Sequence, residues 1–405
     1  MQNKLLAVVL TGSALVLTAC GGDDNDAVYA AGDDVPKYSI TDPVVTTSLY
    51  DLDDLSADAA DSRLMTYKML GVDGEITQAT ALVFTPKTAP PAKGWPIVVW
   101  AHGTTGVADK CAPSQQGLQA TQGLLEQLLA EGYVVVAPDY EGLGTAGSHP
   151  FLNLKSEAFS ITDAVMAARD YLSRQGKKVS SQWMTIGHSQ GGHAALGAAQ
   201  YASRVQLDYK GTIAIAPASN LEVILKGGEA AVKDQPANVQ IPVLARLDMF
   251  TSLIVAGMQG HAISVNYAQV FKNDTAAIAP IAESECAKTV GDALGNGMGK
   301  YAFAHNNSLN GYGRTQDNFM TVPQIRTFLE KDSQPLRKKV STPVIIYQGT
   351  ADTTVPSPAT DLLFLVGDGN GTKIKYIKDT WNHDTVYANN FDKFIQDVKT
   401  LMPLQ

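Results

Sequence analysis

Residues 182–192 read Gln182-Trp-Met-Thr-Ile-Gly-His-Ser-Gln-Gly-Gly192, and this stretch decides the fold class. Its first half is a short apolar run typical of a buried strand, and the small residues that follow favour a helix. A strand, a sharp turn and a helix around Gly187-His-Ser-Gln-Gly191 form the context of a nucleophile elbow, in which Ser189 takes a strained backbone conformation. Gly187 and Gly191 let neighbouring backbone pass close without a Cβ clash. Because a glycine-rich turn without chemistry has the same pattern, the prediction depends on partners elsewhere in the chain.

The segments around the elbow alternate between apolar strands and amphipathic helices. This alternation predicts an α/β fold, with a largely parallel sheet covered by helices on both faces. Residues 63–85 have the pattern of a β-hairpin. The other predicted strands are residues 95–101, 133–140, 210–217, 342–348 and 373–378, and the predicted core helices are residues 113–131, 156–174 and 391–401.

About a hundred residues between two of these strands break the alternation. Such an interruption is far longer than a normal loop, and we interpret residues 219–330 as a cap inserted into the sheet domain. A separate small domain with its own core is the alternative. The predicted core then has two parts, residues 41–218 and residues 331–405, on either side of the cap.

The composition bounds the classes of partner. The 405-residue chain is 45% hydrophobic and 18% charged, and its formal net charge is −9. This length allows a large core with an insertion. The acidic balance argues against nucleic acid as a partner.

The N-terminus has the pattern of an export signal over residues 1–19. Lys4 precedes an apolar run, and Leu17-Thr-Ala-Cys20 resembles the lipobox of bacterial lipoproteins. The resemblance implies cleavage before Cys20, lipidation of that residue and membrane anchoring at the cell envelope, and Gly21 fits the outer membrane. The alternative is an ordinary signal peptide with an incidental cysteine. Residues 20–40 are rich in Gly, Ala and Asp, and we expect a flexible tether.

Two further cysteines, Cys111 and Cys286, remain if Cys20 carries lipid. In an exported protein an even pair indicates one disulfide, with two buried free thiols as the alternative. A disulfide would join the segment after residues 102–106 to the cap.

Catalysis by Ser189 requires an acid and then a histidine later in the chain, each after a strand. Of the seven histidines, only His383 follows the last predicted strands. Asp352 follows the strand 342–348, and it would hold the His383 imidazole in the tautomer that accepts the Ser189 proton. Taken singly, Asp352 fits a helix N-cap and His383 fits a surface loop. The occurrence of all three in the required order favours a catalytic triad.

An oxyanion site needs two backbone N–H donors. The amide of Gln190, the residue after the nucleophile, is the first predicted donor. The second should come from the loop His102-Gly-Thr-Thr-Gly106, which follows an earlier strand. We expect the amide of Thr104, with Gly103 as the alternative, and we expect His102 to order the loop.

His188 and His193 flank the elbow and raise the question of a metal site. No clear set of carboxylates or cysteines accompanies them in the sequence, so we expect both rings to pack rather than to bind metal. The predicted chemistry requires no metal and no organic cofactor.

With these residues in place, the chain resembles the α/β-hydrolase superfamily over residues 60–405. Four stretches resemble the secretory lipase family and related bacterial lipoprotein esterases, namely His102-Gly-Thr-Thr-Gly106, Cys111-Ala-Pro-Ser, Pro138-Asp-Tyr-Glu-Gly-Leu-Gly144 and Gly187-His-Ser-Gln-Gly191. The resemblance implies an α/β-hydrolase fold with a helical cap over an acyl pocket, and a small-molecule or lipid ester as substrate. That family usually has more cysteines than this chain, so its full disulfide pattern does not carry over.

We therefore expect an exported, lipid-anchored serine hydrolase that cleaves carboxylic esters through an acyl-enzyme on Ser189. One alternative is a serine peptidase of the prolyl-oligopeptidase type, and another is a non-catalytic surface lipoprotein that retains the fold. The chain has no propeller repeats, and a binding protein would need neither the base nor the acid.

The apolar cap segment 241–260 carries more large side chains than one buried stripe needs. We expect Phe250, Leu253 and Met258 to line a substrate pocket above Ser189, with burial of the whole segment in the cap core as the alternative. Each buried methylene contributes about 0.8 kcal/mol, which predicts a preference for medium acyl chains over acetyl esters.

Overall fold

The computed structural model describes residues 35–405, so the expected signal segment and Cys20 lie outside the described residues. At its centre lies one nine-stranded sheet. In chain order the strands are β1 Val44–Leu49, β2 Ala59–Leu70, β3 Ile76–Pro86, β4 Trp95–Ala101, β5 Val134–Pro138, β6 Val179–His188, β7 Asp208–Ile215, β8 Val344–Gly349 and β9 Ile374–Asp379. Their order across the sheet is β1-β2-β3-β5-β4-β6-β7-β8-β9.

The first strands pair antiparallel, and the pairs from β5–β4 to β8–β9 are parallel. Along β4, Ile97 and Val99 belong to the apolar cluster on one face, and Val98 and Trp100 belong to the cluster on the other. Burial on both faces explains why the central strands are continuous apolar runs. The predicted α/β architecture is confirmed.

Helices cover both faces of the sheet. Leu154–Arg174 and Gln190–Tyr201 pack in the first cluster, and Gln122–Ala130 and Phe391–Leu401 pack in the second. The remaining core helices are Ser357–Gly369 and the single turns Pro113–Gln116 and Thr385–Ala388.

The helix predicted over 113–131 is interrupted. Gly117 follows the turn Pro113–Gln116 with a φ of 81°, and the chain resumes as the 3₁₀ turn Gln119–Thr121 before helix Gln122–Ala130. An Oδ2 atom of Asp53 accepts the Leu118 amide at 2.8 Å, across 65 residues of sequence. This contact replaces an intrahelical bond and leaves an irregular segment beside the carboxyl end of β4.

Residues 36–40, which the composition assigns to a tether, pack against the core instead. The buried Arg204 pairs with Asp163 through its Nε and Nη2 atoms, and its Nη1 donates to the Pro36 carbonyl at 2.7 Å. The Tyr38 amide donates to the Arg204 carbonyl at 3.0 Å. A buried cation with several donors thus holds a segment that composition alone describes as flexible.

Most of the chain between β7 and β8 forms helices over one end of the sheet, and we continue to call residues 219–330 the cap. The longer helices are Leu221–Val232, Ala237–Met258 and Ala287–Ala304. The short ones are Tyr267–Val270, Asn273–Ala276, Pro323–Thr327, the 3₁₀ turns Ala279–Glu283 and Phe319–Thr321, and the π turn Phe328–Asp332. Their apolar cluster also contains the core residues Phe151, Leu152, Val355 and Ala359. This shared packing favours a cap over an independent small domain.

The long cap helix Ala237–Met258 is the one helix within residues 35–405 with the length and apolar composition of a membrane span. However, 67% of the most apolar 18-residue stretch of this helix is buried inside the protein. Asp248 lies fully buried within it and pairs with Arg314 at 2.6 Å. These features fit the central helix of a packed cap.

Candidate active site

Ser189 lies at the junction between β6 and helix Gln190–Tyr201, with φ 59° and ψ −118°. Its amide donates to the Ile215 carbonyl at 2.8 Å, and its carbonyl accepts the Ala218 amide at 3.1 Å. These bonds tie the turn to β7 and the segment after it, which holds the serine in a conformation that an L-residue otherwise avoids. This is the strained geometry that the sequence predicts for an elbow.

Two glycines make this turn possible. A Cβ on Gly187 would lie 2.1 Å from the Gly191 carbonyl oxygen, and a Cβ on Gly191 would lie 1.9 Å from the Ala101 carbonyl oxygen. Because both obstacles are backbone atoms of packed elements, neither can move away. The tight approach brings the end of β4 and the start of the elbow helix next to Ser189.

Asp352 and His383 meet at the carboxyl ends of β8 and β9. Nδ1 of His383 lies 2.7 Å from Oδ2 of Asp352, while Oδ1 of Asp352 accepts the Thr354 and Val355 amides at 2.8 Å each. The N-cap of helix Ser357–Gly369 is Pro356, which excludes the N-cap role for Asp352. In the neutral ring, this contact favours the tautomer with the proton on Nδ1, in which Nε2 of His383 is the hydrogen-bond acceptor.

His188 supports the backbone of His383. Its Nε2 donates to the His383 carbonyl at 3.0 Å, and its ring packs between those of His383 and Tyr387. Burial, with a smaller contribution from the nearby His383, lowers the pKa of His188 to about 3. The neutral ring keeps one N–H, which donates the hydrogen bond to the His383 carbonyl.

Ser189 and His383 line the same cavity, which has a volume of about 370 Å³. The irregular segment of residues 116–121 forms one wall, and Thr104 and Phe250 stand beside the serine. Among its described lining residues there is no Asp, Glu, Lys or Arg. The cavity thus suits a neutral substrate in contact with Ser189 and His383.

The loop after β4 has the order expected of an oxyanion site. Nδ1 of His102 lies 2.6 Å from the Gly103 carbonyl oxygen, and burial lowers the pKa of His102 to about 4. The Tyr140 hydroxyl donates to the His102 carbonyl at 3.0 Å, and the two rings stack. Since a trans peptide directs C=O and N–H to opposite sides, holding the Gly103 carbonyl also fixes the direction of the Thr104 N–H.

The amides of Thr104 and Gln190 donate to no acceptor among residues 35–405. Thr104 lies outside helix and strand, and Gln190 is the first residue of its helix, where an amide has no intrahelical partner. Gly103 lies against the turn, since a Cβ there would be 3.5 Å from the His188 carbonyl and 3.8 Å from the Ser189 Cβ. Both predicted donors are available next to the serine.

A buried polar network behind the elbow was not expected from the sequence. The Gln190 side chain donates to Glu157 at 2.9 Å and to Nε2 of His149 at 2.8 Å. Nδ1 of His193 lies 2.6 Å from the other Glu157 oxygen, with both side chains fully buried. In the sequence, the feature that indicates this network is Glu157, a charged residue on the apolar face of helix Leu154–Arg174.

The histidines next to the elbow therefore have structural partners. His193 contacts Glu157 and the Ser333 carbonyl, and His188 contacts the His383 carbonyl. Across residues 35–405, no three His, Cys, Asp or Glu side chains are placed to hold a metal ion.

The predicted disulfide between Cys111 and Cys286 is present, with the Cα atoms 5.4 Å apart. Gly106 forms a β-bridge with Cys286, and the Ala287 amide donates to the Thr105 carbonyl at 2.9 Å. Gly106 has a φ of 142°, and a Cβ there would lie 2.9 Å from the Cys111 sulfur. The disulfide and these backbone bonds attach the cap directly to the loop that carries Thr104.

The three cap residues expected at the substrate pocket are separated by the structure. Phe250 lines the cavity beside Ser189, whereas Leu253 is fully buried in the cap core and lines no cavity that Ser189 lines. Met258 lies eight residues beyond Phe250, about 12 Å along the helix, and lines a different cavity. Placing Leu253 and Met258 at the pocket above Ser189 was therefore wrong, because the helix is apolar around most of its circumference and its sequence does not define a single face.

Comparisons with known structures give the fold. The rice cell wall degrading esterase LipA from Xanthomonas oryzae aligns at 21% identity over 88% of this chain and 97% of its own, with a TM-score of 0.64. A putative hydrolase from Legionella pneumophila aligns at 15% identity over 90% of this chain and 99% of its own, with a TM-score of 0.68. Candida antarctica lipase A in its closed state aligns at 17% identity over 89% of this chain and 81% of its own, with a TM-score of 0.63.

At these identities the alignments establish the α/β-hydrolase fold and nothing finer. No curated protein sequence matches the chain. The profile of the secretory lipase family matches residues 112–390, which include the elbow, the whole cap, Asp352 and His383. The chain therefore belongs to the secretory lipase family, whose members are carboxylic ester hydrolases of the lipase and esterase type.

Proposed function

We propose that this protein hydrolyses carboxylic esters through an acyl-enzyme on Ser189, with His383 as the general base and Asp352 as its partner. The observation that carries the proposal is the 2.7 Å contact between His383 Nδ1 and Asp352 Oδ2 at the edge of the cavity that Ser189 lines. It leaves Nε2 as the free basic nitrogen of a histidine at the same cavity as the serine.

In acylation, the Ser189 hydroxyl attacks the ester carbonyl carbon and its proton passes to Nε2 of His383. The new bond joins Oγ to carbon, and the carbonyl oxygen becomes an oxyanion that accepts hydrogen bonds from the Thr104 and Gln190 amides. The intermediate collapses as the carbon–oxygen bond to the alcohol breaks. His383 gives its proton to the departing alcohol oxygen, and the acyl group remains on Ser189.

In deacylation, a water molecule loses a proton to His383 and attacks the acyl carbon. The second oxyanion uses the same two amides. Its collapse breaks the bond between the acyl carbon and Ser189 Oγ and releases the carboxylic acid, while the proton on His383 passes to Oγ. Asp352 stays ionised and hydrogen-bonded to Nδ1 through both halves, which stabilises the imidazolium each time it forms.

An ester suits the cavity better than the peptide substrate of the alternative prediction. A peptidase that holds a substrate amine needs a carboxylate nearby, and the described lining of the 370 Å³ cavity contains none. The neutral, largely apolar lining instead matches an ester, which carries no charge at either end of the reacting bond.

Active-site labelling and turnover test the proposal. A fluorophosphonate probe should label the wild-type protein on Ser189, and Ser189→Ala should lose labelling and at least about 10⁴-fold in kcat for nitrophenyl esters. Ser219→Ala is the matched control, because Ser219 is also a buried serine, and its hydroxyl has no hydrogen-bond partner within residues 35–405. His383→Ala should lose as much kcat as Ser189→Ala, and Asp352→Asn should lose somewhat less.

Three results would contradict the assignment. Labelling of a different residue would remove Ser189 from the mechanism. Turnover of aminoacyl nitroanilides without turnover of nitrophenyl esters would show that the protein is a peptidase. Absence of any turnover in folded protein would leave a binding role.

We also propose that the protein is exported and anchored to the outer membrane through lipid on Cys20. Support comes from the lipobox-like sequence that ends in Cys20 and from membership of a secretory family. Metabolic labelling with a fatty-acid probe should mark the wild-type chain and place it in the outer-membrane fraction. Cys20→Ala should lose both the label and the membrane association, whereas a wild-type chain that is processed without lipid would contradict the anchor.

A further inference from the structure

Two cavities meet at Ser189. Besides the 370 Å³ cavity there is one of about 30 Å³ under the cap, and Thr104, Ser189, Phe250 and Thr354 line both. The rest of the small cavity is apolar and consists of Phe151, Leu152, Ala218, Leu221, Ile224, Leu225, Ile254 and Val355.

The position of His383 distinguishes the two cavities. His383 and His188 line the large cavity, and neither lines the small one. Because His383 must protonate the departing alcohol oxygen, the alcohol has to extend into the cavity that His383 lines. The acyl chain then takes the other cavity at Ser189, which is small and apolar.

A third cavity of about 570 Å³ lies beyond the small one. It is lined by residues that include Asn153, Met258, Gln324, Lys331 and Asp332. Phe151 and Ile254 line both this cavity and the small one. Their two side chains thus stand between a pocket of a few atoms and a much larger space.

From this arrangement we infer that Phe151 and Ile254 form the end wall of the acyl pocket and restrict the enzyme to short acyl chains. The inference rests on the proposed ester hydrolysis at Ser189. The small cavity has about 30 Å³ of free space, against about 570 Å³ beyond these two side chains, so the acyl pocket ends at this wall. The wild-type protein therefore prefers short acyl chains such as butanoyl to long ones such as decanoyl, which replaces the medium chains expected from the sequence.

The wall is held by backbone packing. A Cβ on Gly257 would lie 2.5 Å from the His149 carbonyl oxygen and 2.8 Å from the Phe151 amide nitrogen, so the long cap helix rests directly on this segment. The Phe151 amide donates to the His149 carbonyl at 2.7 Å. Ile254 is one turn from Gly257 on the same helix, so this packing also holds the backbone that carries Ile254.

The test is the acyl-length profile of Ile254→Ala. Removing this side chain joins the acyl pocket to the 570 Å³ cavity, and each further methylene buried contributes about fourfold in kcat/KM. The ratio of kcat/KM for nitrophenyl decanoate over nitrophenyl butanoate should rise at least about tenfold over wild type. Leu253→Ala is the matched control, since Leu253 is the neighbouring buried aliphatic residue and lines neither cavity beside Ser189.

Two variants keep the test decisive if Ile254→Ala does not fold. Ile254→Val should shift the ratio in the same direction by a smaller factor. Ala218→Leu fills the pocket from the opposite wall, and it should lower kcat/KM for butanoate relative to acetate.

The outcomes separate this inference from the proposed function. Ser189-dependent hydrolysis with the same length profile in wild type, Ile254→Ala and Leu253→Ala would overturn the end wall and leave the ester hydrolase in place. Equal shifts in Ile254→Ala and Leu253→Ala would also overturn it, because a loosened cap would then explain both. Absence of ester hydrolysis in the folded wild-type protein would overturn both proposals.

Discussion

Nε2 of His188 lies 3.0 Å from the carbonyl oxygen of His383, so the residue before the proposed nucleophile holds the backbone of the proposed base. The elbow and the loop after β9 come from distant parts of the sequence. This bond sets their relative position independently of the contact between Asp352 and His383. His188 is thus a positioning residue.

Loss of this bond should lower kcat with little change in KM. His188→Phe keeps a ring against Tyr387 but removes the N–H donor, and we expect kcat to fall about 10- to 100-fold because the base is misplaced. His188→Gln retains an N–H donor and should recover part of the loss. Equal kcat values for His188→Phe and wild type would show that the bond does not position the base.

The oxyanion assignment can be tested on the backbone itself. Thr104→Pro removes one N–H donor and should lower kcat about 10²- to 10³-fold. Thr104→Val keeps the amide and loses only the hydroxyl, so its kcat should stay near wild type. If Thr104→Val lost as much as Thr104→Pro, the hydroxyl rather than the amide would carry the effect.

The disulfide between Cys111 and Cys286 should contribute substantially to stability. The bond closes a loop with a sequence separation of 175 residues, and removing such a bond typically costs about 2–5 kcal/mol. The paired variant Cys111→Ser/Cys286→Ser should show this loss in the free energy of unfolding by urea. Reduced wild-type protein is the control and should match it. Unchanged unfolding midpoints would contradict a stabilising disulfide.

His149 should make stability depend on pH. Burial lowers the pKa of His149 from 6.5 to about 3, so the unfolded chain binds this proton first as the pH falls. The contribution of neutral His149 to the free energy of unfolding is fully present above about pH 6.5 and is lost as the pH falls toward 3. Over most of that interval the loss is about 1.4 kcal/mol per pH unit. His149→Gln should therefore lose less stability than wild type between pH 6 and pH 4, each compared with its own value at neutral pH. Parallel pH curves from urea unfolding would contradict this role.

The sequence was informative where local chemistry and burial agree. The elbow needs Gly187 and Gly191 for contacts within a few residues, and central strands such as β4 must be apolar because both faces are covered. The order of Ser189, Asp352 and His383 follows from the parallel sheet, which collects the carboxyl ends of its strands at one edge. These features can be predicted without three-dimensional coordinates.

Features that depend on distant contacts were missed. The break at Gly117 requires Asp53 to take the Leu118 amide, and residues 36–40 are ordered by the buried Arg204. Neither contact changes the hydrophobic periodicity from which helices and strands are predicted. The orientation of the long cap helix was missed for another reason, since apolar side chains surround it and no stripe identifies the face toward Ser189.

The position of β8 and β9 after the cap has a consequence for biosynthesis. A nascent chain contains the proposed nucleophile long before it contains the acid and the base, and His188 must contact His383 across 195 residues of sequence. Under the proposed mechanism, ester hydrolysis therefore begins only when the last parallel strand has joined the sheet. An unfinished chain would then carry no hydrolytic activity, and the appearance of activity during refolding would report completion of the entire fold.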